Sequence, residues 1–206
     1  MLSTDLDLQS GKKYLALGDS YTIGESVRAH ERWPVQLAKT LRDNGKPMGE
    51  PTIIATTGWR TDNLSDAIAQ ADLMTAYDLV SLSIGVNNQY QGKSPNRYAI
   101  EFEALLLTAI KLANGIKANV FVVSIPDYGY TPFGKAKQIE ISKELDHFNE
   151  INNAITKKLG VKYFNITDIS RNGLDLPDLV AGDGLHPSGK MYGLWVERIA
   201  KGLISK

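Results

Sequence analysis

A three-layer α/β sandwich around a parallel sheet is the fold class predicted by this chain of 206 residues, and two observations predict it. Five short apolar runs alternate with longer segments whose apolar residues recur at helical spacing, the pattern of strands joined by crossover helices. Three of the runs end in glycine-bearing segments, Gly18-Asp19-Ser20, Thr56-Thr57-Gly58 and Gly85-Val86-Asn87. The length fits one domain over residues 1–206, large enough to bury roughly 70% of the surface its unfolded form exposes.

Tyr14-Leu15-Ala16-Leu17 is the first strand, and it stops abruptly at Gly18-Asp19-Ser20-Tyr21. Gly18 lets the backbone turn sharply without a Cβ penalty. A polar loop over residues 22–32 follows. Trp33, Leu37, Ala38 and Leu41 then mark a helix, with Pro34 suited to its first turn and Asn44-Gly45 to its end. Thr52-Ile53-Ile54-Ala55 is the second strand, and Leu64, Ala67, Ile68 and Ala71 mark a helix opened by Thr61 or Asp62. Residues 79–84 form the third strand, ending at Gly85-Val86-Asn87-Asn88. Ser94-Pro95 opens a long helix carrying Tyr98, Phe102, Leu105 and Ala109, closed by Asn114-Gly115.

Residues 120–125 are the fourth strand. Residues 126–134 are too rich in Pro and Gly for a helix or strand, yet they hold Tyr128, Tyr130 and Phe133. They read as an ordered loop beside a pocket or as a surface Ω-loop packed on itself. On the first reading the three aromatics wall the acyl or leaving-group side of a site. Ile141, Leu145, Phe148, Asn152, Ile155 and Leu159 give the next helix a face for the sheet. Residues 161–166 are the fifth strand, a Gly/Asp/Pro-rich loop runs to Pro187, and Ser188 opens a last helix with Met191, Leu194, Trp195 and Ile199. Right-handed crossovers and a flavodoxin-like order 2-1-3-4-5 put the switch point between strands 1 and 3. Gly18-Asp19-Ser20 and Gly85-Val86-Asn87 should then lie side by side at the strand carboxyl ends.

Lys+Arg and Asp+Glu both number 23, and the basic residues are scattered rather than massed with aromatics. Nothing in that pattern suggests a nucleic-acid or membrane-surface footprint. The absence of cysteine removes disulfides, thiol catalysis and thiolate metal sites. Residues 1–11 alternate Leu2, Leu6 and Leu8 with Asp5 and Asp7, with neither the basic nor the apolar region of a signal peptide, and no run reaches transmembrane length. The sequence as it stands reads as cytoplasmic, although a secreted protein already relieved of its signal would look the same. Neither Gly-x-Gly-x-x-Gly nor a P-loop follows any strand, which weakens a nucleotide-binding role. Oligomeric state is not legible.

A serine at a strand carboxyl end is placed for chemistry, although Asp19 or Ser20 could equally cap a helix. Such a hydroxyl needs a base. Of the three histidines, His30 lies in a charged loop and His147 on a helix beside Phe148, both with easy structural readings. His186 stands three residues after Asp183 in Asp183-Gly184-Leu185-His186-Pro187. Pro187 biases His186 toward an extended conformation, and the flanking glycines let the chain curl, so the carboxylate can meet its own histidine. An Asp accepting from Nδ1 leaves Nε2 free to take a serine proton.

Four segments together resemble the SGNH (GDSL-type) hydrolase family of serine esterases: Gly18-Asp19-Ser20-Tyr21, Gly58, Gly85-Val86-Asn87-Asn88 and Asp183-x-x-His186. The resemblance implies a seryl acyl-enzyme formed on an ester substrate by Ser20, with His186 as base oriented by Asp183. It also implies an oxyanion hole made by Ser20, Gly58 and Asn87, with no cofactor or metal required. Two positions depart from the family: Tyr21 stands where many members have Leu, and Asn88 replaces the usual Asp. Gly-x-Ser-x-Gly is absent, so the α/β-hydrolase elbow fits less well. Thioesterase, lysophospholipase or acyltransferase action would use the same residues, whereas a non-catalytic flavodoxin-like binding module would need none of them.

Overall fold

The structure, a computed structural model, describes residues 11–73 and 76–205. The expectation about a leader over residues 1–11 therefore lies, Gly11 apart, outside the described residues. Five parallel strands, β1 (Tyr14–Gly18), β2 (Thr52–Ala55), β3 (Leu79–Ser83), β4 (Val120–Val123) and β5 (Lys162–Phe164), form a sheet in the order β2-β1-β3-β4-β5. This is the predicted order. Every residue of β1, β3 and β4 is buried, because the central strands are covered on both faces, whereas the edges expose Thr52 and Lys162.

The helices are α1 (Ser20–Ile23), α2 (Trp33–Asp43), α3 (Thr61–Gln70), α4 (Val86–Tyr90), α5 (Pro95–Leu112), α6 (Gln138–Leu159), α7 (Thr167–Ser170) and α8 (Gly189–Ile204). Right-handed crossovers through this strand order put α2 and α8 against each other on one face and α3, α5 and α6 on the other. Trp33, Trp195 and Tyr192 are fully buried on α2 and α8, and Tyr98 stacks between Phe102 at 5.6 Å and Phe148 at 4.7 Å, joining α5 to α6. Leu37, wholly buried on α2, would leave a cavity costing about 2–5 kcal/mol if cut to alanine. Among the described residues no helix is long and apolar enough to cross a membrane.

Several elements differ in detail from the sequence reading. β5 stops at Phe164 because Ile166 N–H donates to Ser124 Oγ at 2.8 Å and Asn165 Oδ1 accepts from Thr167 N–H at 3.0 Å, which takes the backbone off the ladder. The loop predicted over 22–32 begins inside α1 and holds a 3-10 turn at Ala29–Glu31, and residues 128–130 form another 3-10 turn. Gly18 serves a different purpose from the one expected. Its φ is not positive, but a Cβ there would lie 2.1 Å from Thr22 Oγ1 and 2.5 Å from the Ser83 carbonyl oxygen. Glycine is needed for close approach.

Strand register sets up the site. Gly18 pairs with both Ala55 and Ser83, so the segments bearing Ser20, Gly58 and Asn87 leave the sheet at one level.

Candidate active site

Ser20 is the first residue of α1 and is 4% exposed. Asp19 caps that helix, its Oδ1 accepting from Tyr21 N–H at 3.0 Å. The capping role expected for this tetrapeptide is thus real, and it holds the serine rather than competing with it. Asp19 is itself buried and forms no salt bridge among the described residues. Burial pushes its pKa up to about 7, against the opposing pull of backbone N–H groups at Tyr21, Asp19 and Gly85.

His186 is 8% exposed, and its Nδ1 lies 2.6 Å from Asp183 Oδ2. The other oxygen of Asp183 accepts from Leu185 N–H at 2.9 Å and His186 N–H at 3.0 Å, so the carboxylate shapes the loop as well as the ring. Ala181 N–H donates to the His186 carbonyl at 2.7 Å and fixes the loop from its other side. Partial burial works to raise the Asp183 pKa, but the bonds from Ser26 Oγ, His186 and the two backbone amides hold it well below the usual carboxylate range. An ionised Asp183 only accepts, so Nδ1 carries the proton and Nε2 is left free. No hydrogen bond joins Ser20 Oγ to Nε2 in this structure. Such contacts commonly tighten only when substrate is bound.

One neighbour of this pair escaped the sequence reading. Ser26 Oγ donates to Asp183 Oδ2 at 2.6 Å, and Ser26 has φ of +64°, a left-handed conformation rare for a residue with a Cβ. Tyr21 packs its ring 5.6 Å from that of His186 and 6.4 Å from that of Trp195. The departure at position 21 therefore acts on packing, and what it packs is the histidine.

Asn87 Nδ2 donates to the Trp59 carbonyl oxygen at 2.9 Å, tying the third segment to the second. An amide has two N–H groups, so one remains available. The neighbouring Asn88 is buried and bonded at both ends of its amide to Thr61: Oδ1 accepts from the backbone N–H at 3.1 Å, and Nδ2 donates to Oγ1 at 2.7 Å. A charged acceptor is not needed at position 88. The segment after the third strand forms α4, which puts Tyr90 one turn beyond Asn87.

A cavity of about 290 Å³ brings Ser20, Gly58, Asn87 and His186 together. Tyr21, Val86 and Leu185 give it an apolar lining, and Tyr90, Tyr128 and Phe133 close one end. Tyr128 and Phe133 of the aromatic loop both line this cavity, and Phe133 N–H donates to the Gly184 carbonyl at 3.0 Å, fastening this loop to that of His186. Tyr130 does not join them. Its ring lies 6.0 Å from the Arg171 guanidinium carbon and lines a separate surface depression with Ile139 and His147 of α6. Three residues per turn in the 3-10 turn at Tyr128–Tyr130 aim Tyr128 and Tyr130 about 120° apart, at different surroundings. The sequence reading missed Tyr90, whose signal was its helical spacing from Asn87. Among the described residues no cluster of three or more His, Asp or Glu could hold a metal ion.

A parallel sheet that gathers Ser, Gly, Asn and a carboxylate-bonded His at its strand carboxyl ends is the frame of an SGNH-type hydrolase. The chain belongs to the GDSL-like Lipase/Acylhydrolase family, which it matches over residues 16–194, and it is accordingly a carboxylic ester hydrolase. It is 24% identical to an arylesterase of Vibrio mimicus over 201 residues, covering 95% of this chain and 90% of the relative. Among solved structures it resembles TesA, with a TM-score of 0.70 at 16% identity over 93% of this chain and 98% of the other. It also resembles Axe2, an acetylxylan esterase from Geobacillus stearothermophilus, with a TM-score of 0.72 at 17% identity over 97% of each chain.

Proposed function

We propose that the chain hydrolyses carboxylic esters through a seryl acyl-enzyme formed at Ser20. The observation that carries this reading is the shared cavity of Ser20, Gly58, Asn87 and His186, with Asp183 bonded to the far side of the histidine ring. Ser20 Oγ attacks the ester carbonyl while His186 Nε2 takes its proton. The backbone N–H groups of Ser20 and Gly58 and the free Asn87 amide N–H stabilise the tetrahedral oxyanion. His186 returns the proton to the departing alcohol. Water, deprotonated by the same nitrogen, then releases the acid and restores Ser20. Asp183 stays ionised throughout and favours the imidazolium that forms beside it.

Labelling by a fluorophosphonate probe tests this directly. Parent protein should be labelled and should hydrolyse p-nitrophenyl acetate, and Ser20→Ala should do neither. Ser20→Ala and His186→Ala should each lose nearly as much kcat as the double variant, because residues that act as a unit are not additive. Retained labelling or turnover in Ser20→Ala would overturn the reading. A flavodoxin-like binding module would give no labelling in either protein.

A further inference from the structure

A second cavity, of about 510 Å³, adjoins the one at Ser20 and shares the Tyr90, Tyr128 and Phe133 wall with it. The three rings form a triangle with centroids 6.1 to 6.3 Å apart, and Tyr90 and Phe133 remain 59% and 53% exposed. Beyond this wall the chemistry changes. The first cavity is lined mainly by apolar groups, whereas the second carries Gln89, Lys137, Glu140 and Glu144.

Part of this polar lining is held in place, while Lys137, Glu140 and Glu144 stay exposed. Tyr128 OH donates to Gln89 Oε1 at 3.0 Å, and Gln89 Nε2 donates to Glu144 Oε2 at 2.6 Å, with Gln89 itself only 7% exposed. Among the described residues the Glu140 side chain forms no hydrogen bond or ion pair, and Glu144 keeps lone pairs to spare. The aromatic loop is equally constrained, since a Cβ on Gly134 would lie 2.0 Å from the Tyr128 carbonyl oxygen.

We propose that this second cavity is a subsite for a hydroxyl-rich alcohol, so that the preferred substrate is a short-chain acyl ester of a sugar or similar polyol. The proposal rests on the esterase reading and deepens it. A long acyl chain entering the lobe would strip water from Lys137, Glu140 and Glu144 without replacing their hydrogen bonds, which is unfavourable. A sugar offers what the lobe lacks: C–H faces to lie on half-exposed rings, and hydroxyls to donate to two carboxylates and accept from a lysine. Lys137 disfavours a purely cationic group. An ester carries many hydroxyls when its alcohol is a polyol, which assigns the lobe to the leaving-group side and leaves the acyl group in the smaller apolar cavity.

The test compares kcat/KM for a mono-acetylated xylose, ethyl acetate, acetylcholine, p-nitrophenyl acetate and p-nitrophenyl decanoate, in the parent and in Glu140→Leu, Glu144→Leu and the double variant. The acetyl sugar should exceed ethyl acetate by about 10-fold or more in the parent, the scale of one or two charge-assisted hydrogen bonds. In the double variant the ratio of acetyl sugar to p-nitrophenyl acetate should fall by a similar factor. Glu140→Leu, which breaks no internal hydrogen bond, carries the test if the double variant does not fold. A parent that prefers acetylcholine or the decanoate, or variants that keep the sugar ratio, would overturn the proposal. If p-nitrophenyl acetate is not hydrolysed at all, it is the esterase reading that fails. If it is hydrolysed and the ratio does not move, only the subsite fails.

Discussion

Asn88 and Thr61 hold each other through both ends of the asparagine amide, which ties α4 to the first turn of α3. Thr61 gives its own hydroxyl proton to Glu101, so its oxygen must accept from Asn88. An amide can serve both Thr61 groups, and a carboxylate can serve only one. Asn88→Asp would set a charged oxygen against the threonine oxygen, and Asn88→Ala would leave the Thr61 N–H unpaired in the interior. Each should lower stability by about 1–3 kcal/mol, read as a lower urea midpoint with kcat close to the parent. Parental stability in both variants would show that the pairing is incidental.

Asn87 should behave in the opposite way. On the proposed mechanism its alanine variant loses a donor aimed at charge that develops only in the transition state, so kcat should drop roughly 10²- to 10³-fold, about 2.7 to 4 kcal/mol. KM and melting temperature should stay near the parent. A nearly fully active Asn87→Ala would remove the side chain from the proposed oxyanion hole.

Ser26 makes a paired prediction, because its hydroxyl and its backbone act separately. Ser26→Ala and Ser26→Gly both remove the bond to Asp183 and should both reduce kcat, by about 10-fold for one hydrogen bond to a charged group. Only glycine relieves the left-handed backbone, so Ser26→Gly should melt above Ser26→Ala. Steady-state kinetics beside thermal denaturation distinguishes the two effects. Full kcat in both would mean that the His186 ring and the two backbone amides suffice to hold Asp183.

Asp19 should impose a pH dependence on stability. Its pKa of about 7 in the fold lies above the unfolded value near 3.9, so between those pH values the unfolded chain binds fewer protons than the folded one. Stability must then fall as pH rises from about 4 to about 7 and level off beyond. Asn is an equally good N-cap and carries no charge. Urea unfolding at a series of pH values should therefore show Asp19→Asn gaining on the parent across that window, by a few kcal/mol at most. A constant difference from pH 4 to 8 would contradict a buried, unpaired carboxylate.

The aromatic loop divides by direction. Phe133→Ala should alter the ranking of substrates, because its ring stands between the two cavities. Tyr130→Ala should leave that ranking alone and act, if at all, on stability through the lost contact with Arg171. Equal shifts in ranking from both variants would place Tyr130 at the site after all.

Strand order and the meeting of Ser20 with Asn87 were legible because both follow from period and topology, which a sequence carries explicitly. The Asp183–His186 pair was legible because a three-residue separation makes the contact local. Ser26 was not. It sits in a stretch of Glu, Ser and Arg that reads as solvated, and its partner is 157 positions away. The direction of Tyr130 was equally hidden, since composition can place three aromatics in a loop but only its turn geometry decides which way each ring points. The early end of β5 has the same origin, in side chains of Ser124 and Asn165 competing for backbone groups that a strand pattern would assign to the ladder.

The 157-residue separation between Ser26 and Asp183 also bears on how the protein is made. Synthesis delivers the amino-terminal segments first, so Ser20 leaves the ribosome long before His186 or the helix α8 that packs against α2. Until then, on the proposed mechanism, the serine has no base, Asp183 and its partner Ser26 are apart, and Tyr21 lacks the histidine and tryptophan rings it leans on. That mechanism would leave a nascent chain chemically silent toward esters for most of its translation. Onset of ester cleavage during refolding would time the docking of the carboxyl-terminal quarter of the chain rather than the closing of the sheet.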